Sequence, residues 1–105
     1  MKLLSRVDEL ILLAIWRLGS EAYGMAIWEE IKAATGVKWL MGAIYGPLGR
    51  LHRQGLVDTV KGDPTPERGG RAKVYYRLTP VGLKELKKIQ GIHAVMWDGV
   101  RKIEA

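Results

Sequence analysis

Residues 42–79 read GAIYGPLGRLHRQGL (42–56), VDTVKG (57–62), DPTPERGGRAK (63–73) and VYYRLT (74–79). In the first segment Ile44, Leu48 and Leu51 are spaced four and three residues apart, which places them on one face of a helix. The second and fourth segments are dense in β-branched and aromatic residues, as strands are, whereas the third is rich in turn residues and basic residues. The predicted order is therefore helix, strand, loop and strand.

This order is typical of a winged helix, an α+β fold that is mostly α-helical. In such a fold one helix offers its outer face to a groove, and a two-stranded ribbon, the wing, carries a charged loop beside it. We expect residues 1–79 to form this winged helix-turn-helix unit, with three helices and the wing. Residues 80–105 are expected to form a long C-terminal dimerisation helix that belongs to the same globular unit.

Pro47 is an obstacle to the third helix. A proline inside a helix removes a hydrogen bond and clashes with the preceding turn, at a cost of about 3 kcal/mol. Either the helix starts near Tyr45, so that Pro47 lies in its first turn, or the helix is kinked at Pro47. The sequence alone allows both.

Two helices are predicted before this stretch. Ser5 is placed to cap the first, which Gly19 ends, and Gly36 is placed to end the second. The first helix is apolar on more than one face, because Leu13 and Trp16 lie off its main apolar stripe. Such a helix is either central to the core or shared with another subunit, and we expect both.

The last helix is predicted to begin at Thr79 and Pro80, since threonine caps helices and proline favours their first position. Apolar residues and one histidine then recur at spacings of 3, 4, 3, 4 and 3, the period of a coiled-coil seam. Gly91 and Gly99 are positions where this helix could bend or stop. The predicted dimer interface combines this seam with the first helix: Leu10, Leu13, Leu86, Ile89, His93, Met96, Val100 and Ile103.

The net charge of +6 is unevenly placed along the 105 residues. The segment 38–54 holds three basic residues and no acidic one, and the segment 61–77 holds five basic against two acidic residues. Positive charge concentrated on the third helix and the wing is the pattern expected for binding a polyanion, although a solvated basic face that aids solubility gives a similar pattern.

Several classes of protein are excluded or disfavoured. The absence of cysteine excludes disulfides, zinc fingers and thiol catalysis, and is consistent with a cytoplasmic protein. His52 and His93 are far apart in sequence and have no nucleophile motif nearby, so we expect neither an enzyme nor a metal site nor a cofactor. No apolar run is long enough to span a membrane.

Candidate DNA contacts lie on the outer face of the third helix and on the wing. Arginine on such a helix suits bidentate recognition of guanine or phosphate contact, and basic residues in a wing loop suit the DNA backbone. The candidates are Lys38, Tyr45, Arg50, Arg53, Lys61, Arg68, Arg71 and Lys73. However, Gly42, Gly46 and Gly49 share the outer face and offer no side chain for reading bases. The alternative is a winged helix that senses a ligand or binds a protein, with weak and non-specific DNA binding.

The chain resembles the PadR family of bacterial transcriptional regulators over roughly residues 8–90. The residues that carry the resemblance are Tyr23-Gly24, Gly42-Ala43-Ile44-Tyr45, Leu48, Arg50-Leu51, Gly55-Leu56-Val57, Gly69-Gly70-Arg71, Tyr75-Tyr76-Arg77-Leu78-Thr79 and Gly82. The short tail is similar to the compact subfamily, whose single C-terminal helix makes the dimer. Gly46 and Gly49 depart from the family pattern, which commonly has proline and a polar residue at these positions.

The resemblance implies a homodimeric repressor whose partner is a pseudo-palindromic operator in double-stranded DNA. Some compact members also bind flat aromatic effectors between tryptophans at the dimer centre. A hydrophobic small-molecule ligand is therefore a further expected partner, with Trp16 and Trp97 as the candidate effector-binding residues.

Overall fold

Four helices and two antiparallel strands make up the computed structural model, which describes residues 2–64 and 72–104. In chain order these elements are α1 (Arg6–Leu18), α2 (Gly24–Thr35), α3 (Gly42–Arg53), β1 (Val57–Pro64), β2 (Ala72–Leu78) and α4 (Pro80–Trp97). A short 3₁₀ turn, Gly19–Glu21, follows α1. The predicted fold class, a mostly helical winged helix-turn-helix with a long C-terminal helix, is confirmed. No helix in residues 2–64 and 72–104 combines the length and the apolar character needed to cross a membrane.

The predicted helix caps are present. The hydroxyl of Ser5 accepts a hydrogen bond from the N–H of Asp8 at 3.1 Å, and α1 ends at Gly19, whose φ is +58°. At α4 the hydroxyl of Thr79 accepts from the N–H of Gly82 at 3.0 Å. Each of these contacts satisfies a backbone group that a helix end leaves without a partner.

α1 lies at the centre of the core. Its residues Ile11, Leu12 and Ile15 are almost completely buried, although Leu12 lies off the main apolar stripe of the sequence. They pack with apolar residues from every other helix and from β1, among them Ile27, Ile31, Ile44, Leu48, Leu51, Val57, Leu86 and Ile89. Full burial of one such side chain stabilises the fold by about 1.5–3 kcal/mol. Leu13 and Trp16 stay exposed on the other side of α1, so the helix is both central and open on one face.

The wing is anchored to the connection between α1 and α2. β1 and β2 pair with Val57 opposite Leu78 and Lys61 opposite Val74, and the register is irregular beyond Lys61. On the outer edge of β2 the N–H of Tyr76 donates a hydrogen bond to the carbonyl of Ala22 at 2.7 Å. The strands therefore keep a fixed position relative to the helices. The wing loop with Arg68 and Arg71, two predicted DNA contacts, lies outside the described residues.

Pro47 lies inside α3 and not in its first turn. The helix starts at Gly42 because the N–H groups of Ala43 and Ile44 already donate to the carbonyls of Leu40 and Met41, both at 3.0 Å. The alternative of a helix that starts near Tyr45 is therefore wrong. The helix continues past Pro47 to Arg53.

α4 is shorter than the predicted seam. It ends at Trp97, where the chain turns: the N–H of Val100 donates to the carbonyl of Trp97 at 3.1 Å, and Gly99 has a φ of +71°. A left-handed backbone at this glycine stops the helix. Val100 and Ile103, which were expected to continue the helical seam, therefore lie beyond the helix, and that part of the prediction is wrong. Gly91 does not interrupt the helix.

Candidate nucleic-acid interface

The outer side of α3 and the neighbouring wing carry most of the predicted DNA contacts that the structure describes. Lys38, Tyr45, Arg53 and Lys61 are exposed, and Lys73 is half-buried. The structure brings Tyr45 of α3 and Lys73 of β2 to a single cavity. Lys38, Arg53 and Lys61 are not among the residues that line it.

This cavity, which we call the tyrosine cavity, has a volume of about 280 Å³ and opens between α2, α3 and β2. Its lining residues are Tyr23, Gly24, Met25, Tyr45, Lys73, Val74 and Tyr76. The ring of Tyr45 rests on Gly24, and any side chain at that glycine would overlap it. The ammonium of Lys73 lies 4.2 Å from the centre of the Tyr23 ring, a cation–π distance. A cation and aromatic hydroxyl groups therefore meet at one place between the third helix and the wing.

Tyr23 and Tyr76 were not predicted as site residues. Both belong to the motifs that suggested a family, but those motifs do not say where the side chains point. Strand alternation did not indicate Tyr76: residues two apart on a strand share a face, so the predicted contact Lys73 pointed to Tyr75, which does not line the cavity. Tyr23 carried no signal either, because its position depends on how the α1–α2 connection meets β2.

Tyr76 stays protonated in this setting. Burial raises the pKa of Tyr76 above its ordinary value near 10, and the neighbouring Tyr45 raises it further. The phenol is therefore neutral near pH 7 and able to donate a hydrogen bond.

The turn between α2 and α3, which carries Lys38, is held by two tryptophans. The indole N–H of Trp28 donates to the carbonyl of Trp39 at 2.8 Å, and the indole N–H of Trp39 donates to the hydroxyl of Thr35 at 2.9 Å. Trp39 also packs against the core. Lys38 is thus presented on a turn of fixed shape.

Arg50 has a protein partner. Its guanidinium donates two hydrogen bonds to the carboxylate of Asp8 in α1, at 2.7 and 3.0 Å. Among the described residues Asp8 is the one charged side chain that is buried, with 7% of its surface exposed. The hydrogen bonds from Arg50 to Asp8 hold the pKa of Arg50 above its ordinary value. Such a buried carboxylate needs a paired donor, so this contact ties α3 to α1.

A second cavity lies between α1 and α4. It has a volume of about 400 Å³ and is lined by Glu9, Leu13, Trp16, Leu83, Leu86, Lys87, Gln90 and His93. The imidazole Nε2 of His93 lies 3.0 Å from a carboxylate oxygen of Glu9. Trp16, one predicted effector residue, lines this cavity, whereas Trp97, the other one, does not.

The predicted interface residues divide into two groups, apart from His93, which is half-buried beside Glu9. Leu86 and Ile89 belong to the core of the protomer and Leu10 packs against it, so these side chains are already partly or fully covered. The exposed ones are Leu13 (39% exposed), Met96 (69%), Val100 (50%) and Ile103 (72%). In the part of the chain that the structure describes, no group of three His, Cys, Asp or Glu residues is arranged to hold a metal ion.

Comparisons with known proteins agree on one family. The model of the transcriptional regulator PadR-like family matches residues 11–88. A PadR family transcriptional regulator from Eggerthella lenta DSM 2243 is 30% identical, with a TM-score of 0.65 over 86% of this chain and 76% of that chain. No curated protein sequence matched the chain.

Two further solved structures share the fold. A transcriptional regulator from Clostridium thermocellum is 26% identical, with a TM-score of 0.70 over 88% of this chain and 86% of that chain. A PadR-like regulator from Bacillus cereus strain ATCC 14579 has a TM-score of 0.69 over 93% of both chains, and at 20% identity it supports the fold alone.

The Asp8–Arg50 pair predicts different effects for two neighbouring arginines. Arg50→Ala should destabilise the protein by about 2 kcal/mol, because it leaves a buried carboxylate without its partner; partial exposure of Arg50 to water keeps the loss below that of a fully buried pair. Arg53→Ala, at an exposed position one turn further along α3, should change stability by less than about 0.5 kcal/mol. Urea unfolding followed by circular dichroism measures both changes.

A double variant completes this test. Asp8→Ala combined with Arg50→Ala should cost less than the sum of the two single changes, since neither partner is then left alone. Equal unfolding midpoints for Arg50→Ala and Arg53→Ala would show that the pair does not hold α3.

Proposed function

Because this chain belongs to the PadR-like family of transcriptional regulators, we propose that it is a dimeric repressor that binds a pseudo-palindromic operator in double-stranded DNA. The observation that carries the proposal is the meeting of Tyr45 of α3 with Lys73 of the wing at one open cavity. A helix and a ribbon that meet at a hydroxyl group and a cation are suited to a groove and the phosphates beside it.

In this proposal α3, about residues 42–54, is the recognition helix and enters the major groove. Arg53 is exposed near its end and suits bases or nearby phosphates. Lys38, on the turn before α3, and Lys61, on β1, suit the DNA backbone. Arg68 and Arg71 remain predictions from the sequence for the same role. We assign Arg50 to holding α3 in place, since two of its N–H groups donate to the carboxylate of Asp8.

The proposed dimer forms through the exposed end of α4 together with α1. Met96 follows Ile89 by seven residues and Trp97 follows Leu86 by eleven, so both lie on the side of α4 that is buried earlier in the helix. At the end of the helix the protomer does not cover this side, since Met96 is 69% exposed and Trp97 is 57% exposed. The molecule is 53 Å long. A second copy that covers this side would relate two recognition helices by a two-fold axis.

We further propose that the cavity between α1 and α4 receives a flat aromatic effector. Leu13, Trp16 and Leu86 give it an apolar wall, and its volume of about 400 Å³ is in the range of small-molecule sites. Trp97 would complete the site only from a second copy across the dimer, because in the protomer it lies outside the cavity.

One observation favours the second candidate function, a sensing or protein-binding module with weak DNA affinity. Apart from their chain neighbours and the backbone of α3 itself, Gly42 and Gly46 have no atom of the described residues within 4 Å of where a side chain would begin, so the outer face of α3 offers little to read bases with. This module would bind DNA without sequence preference, and its binding would disappear near physiological salt.

A fluorescence-anisotropy titration against genomic-fragment and random-sequence DNA, from about 50 to about 300 mM salt, separates the two functions. The regulator should bind with steep salt dependence and retain at least one fragment at the higher salt. Lys61→Ala should weaken binding to all sequences alike and lower the salt slope by about 1, whereas Arg53→Ala should change which fragment is preferred. Weak binding that is equal for all sequences would overturn the regulator in favour of the sensing module.

The dimer has its own test. Met96→Asp should weaken dimerisation at least about tenfold, because it buries a carboxylate in an apolar interface. Val95→Asp is the matched control: Val95 is 75% exposed and lies nine residues, two and a half turns, from Leu86, on the opposite side of α4. Sedimentation velocity measures the association. If both variants remain dimers, the interface lies elsewhere.

A further inference from the structure

The tyrosine cavity contains more hydrogen-bond donors than the protein uses. Tyr23, Tyr45 and Tyr76 line it, and none of their hydroxyls is hydrogen-bonded to residues 2–64 or 72–104. Lys73 adds a positive charge, and among the side chains that the structure describes none that lines the cavity is acidic. A cation beside several hydroxyl donors forms a site suited to an anion with several acceptor oxygens.

The position of these groups is set by the surrounding structure. Tyr45 rests on Gly24, which has no side chain to displace it. Lys73 lies over the ring of Tyr23, and that ring packs edge-on against Tyr75 with centres 5.8 Å apart. The backbone hydrogen bond from Tyr76 to Ala22 fixes the strand beneath. Donors that are held before binding lose little entropy when the ligand arrives.

We propose that the tyrosine cavity holds one backbone phosphate of each operator half-site, with Lys73 supplying the charge and Tyr45 and Tyr76 the hydrogen bonds. The inference rests on the proposed function, and it names the chemical group that the site takes. The cavity lies where α3 meets the wing, so a phosphate held there lies at the edge of the groove that α3 enters.

This contact positions the protein and reads no sequence. Tyr45 belongs to the recognition helix and Lys73 to the wing, so one shared phosphate fixes how deeply the helix enters and where the wing lies. Loss of the contact should therefore weaken binding similarly on every sequence. That pattern differs from the one expected for Arg53.

The test is a set of operator duplexes in which single phosphates are replaced by neutral methylphosphonates. For the unaltered protein, the methylphosphonate at one position in each half-site should lower the affinity about tenfold, the effect of losing a charge-assisted hydrogen bond. Three variants should each bind the unmodified operator more weakly than the unaltered protein does: Tyr45→Phe, Tyr76→Phe and Lys73→Ala. Because their phosphate contact is already impaired, the methylphosphonate at the sensitive position should lower their affinity little further.

Tyr75→Phe is the matched control. Tyr75 is the neighbour of Tyr76 on β2 and does not line the cavity. The variant removes its hydroxyl group but keeps the ring that packs against Tyr23. This variant should bind and respond to the methylphosphonate as the unaltered protein does. Circular dichroism checks that all four variants are folded.

Free phosphate is the other source of the same chemistry. Inorganic phosphate, titrated into the DNA-free protein at constant ionic strength, is followed by the amide shifts of Gly24 and Lys73 in NMR spectra. Shifts that saturate, together with no sensitive methylphosphonate position, would mean that the cavity takes a free anion and would overturn the operator-phosphate assignment.

The two proposals can fail separately. Suppose that the protein binds an operator selectively, but that each methylphosphonate lowers the affinity of the unaltered protein and of Tyr45→Phe by the same factor. The cavity inference is then wrong and the proposed function stands. If the unmodified operator is not bound selectively at all, both are wrong.

Discussion

The structure depends on one buried charge, the carboxylate of Asp8 in the first turn of α1. Burial of a carboxylate is costly unless it is paired, and Arg50 of α3 pairs with it through two hydrogen bonds. The next residue, Glu9, faces α4 and contacts His93 at 3.0 Å. Consecutive residues of the central helix α1 thus contact α3, the proposed recognition helix, and the C-terminal helix α4. The surface proposed to face DNA and the surface proposed to form the dimer are therefore positioned by the same turn of α1.

The wing is held against the same helices by a different set of contacts. A backbone hydrogen bond joins Tyr76 of β2 to Ala22, and the rings of Tyr23 and Tyr75 pack together beside it. Tyr45 reaches from α3 to Gly24 at the start of α2. Helix and ribbon therefore meet at the tyrosine cavity with their relative position already set, as the proposed binding to a stiff DNA duplex requires.

The sequence predicted those parts of the fold that depend on local spacing. The 4 and 3 spacing of Ile44, Leu48 and Leu51 identified the buried face of α3, and the caps at Ser5 and Thr79 were correct because capping involves residues within one turn. The end of α4 was placed too late, because the seam-like period continues past Gly99; this glycine was named as one of two possible stops, and its left-handed backbone does stop the helix. The start of α3 was left open because Pro47 allowed two interpretations, and contacts of the preceding turn decide between them.

The candidate site was less predictable, because its contacts join residues far apart in the chain. Arg50 lies on a basic stretch and its charge suggested DNA, but its partner Asp8 is 42 residues away and no local pattern indicates the pair. Tyr45 and Lys73 were predicted as DNA contacts one by one. Their meeting at one cavity with Tyr23 and Tyr76 follows from the packing of three elements, which spacing alone does not give.

The central claim is that two copies of this chain present two recognition helices to one operator. Hydroxyl-radical footprinting of a bound operator tests it most directly. The account predicts two protected backbone regions on one face of the duplex, related by two-fold symmetry, with centres about one helical turn, roughly 10 base pairs, apart. A single protected region, or protection that is the same on any sequence, would contradict it.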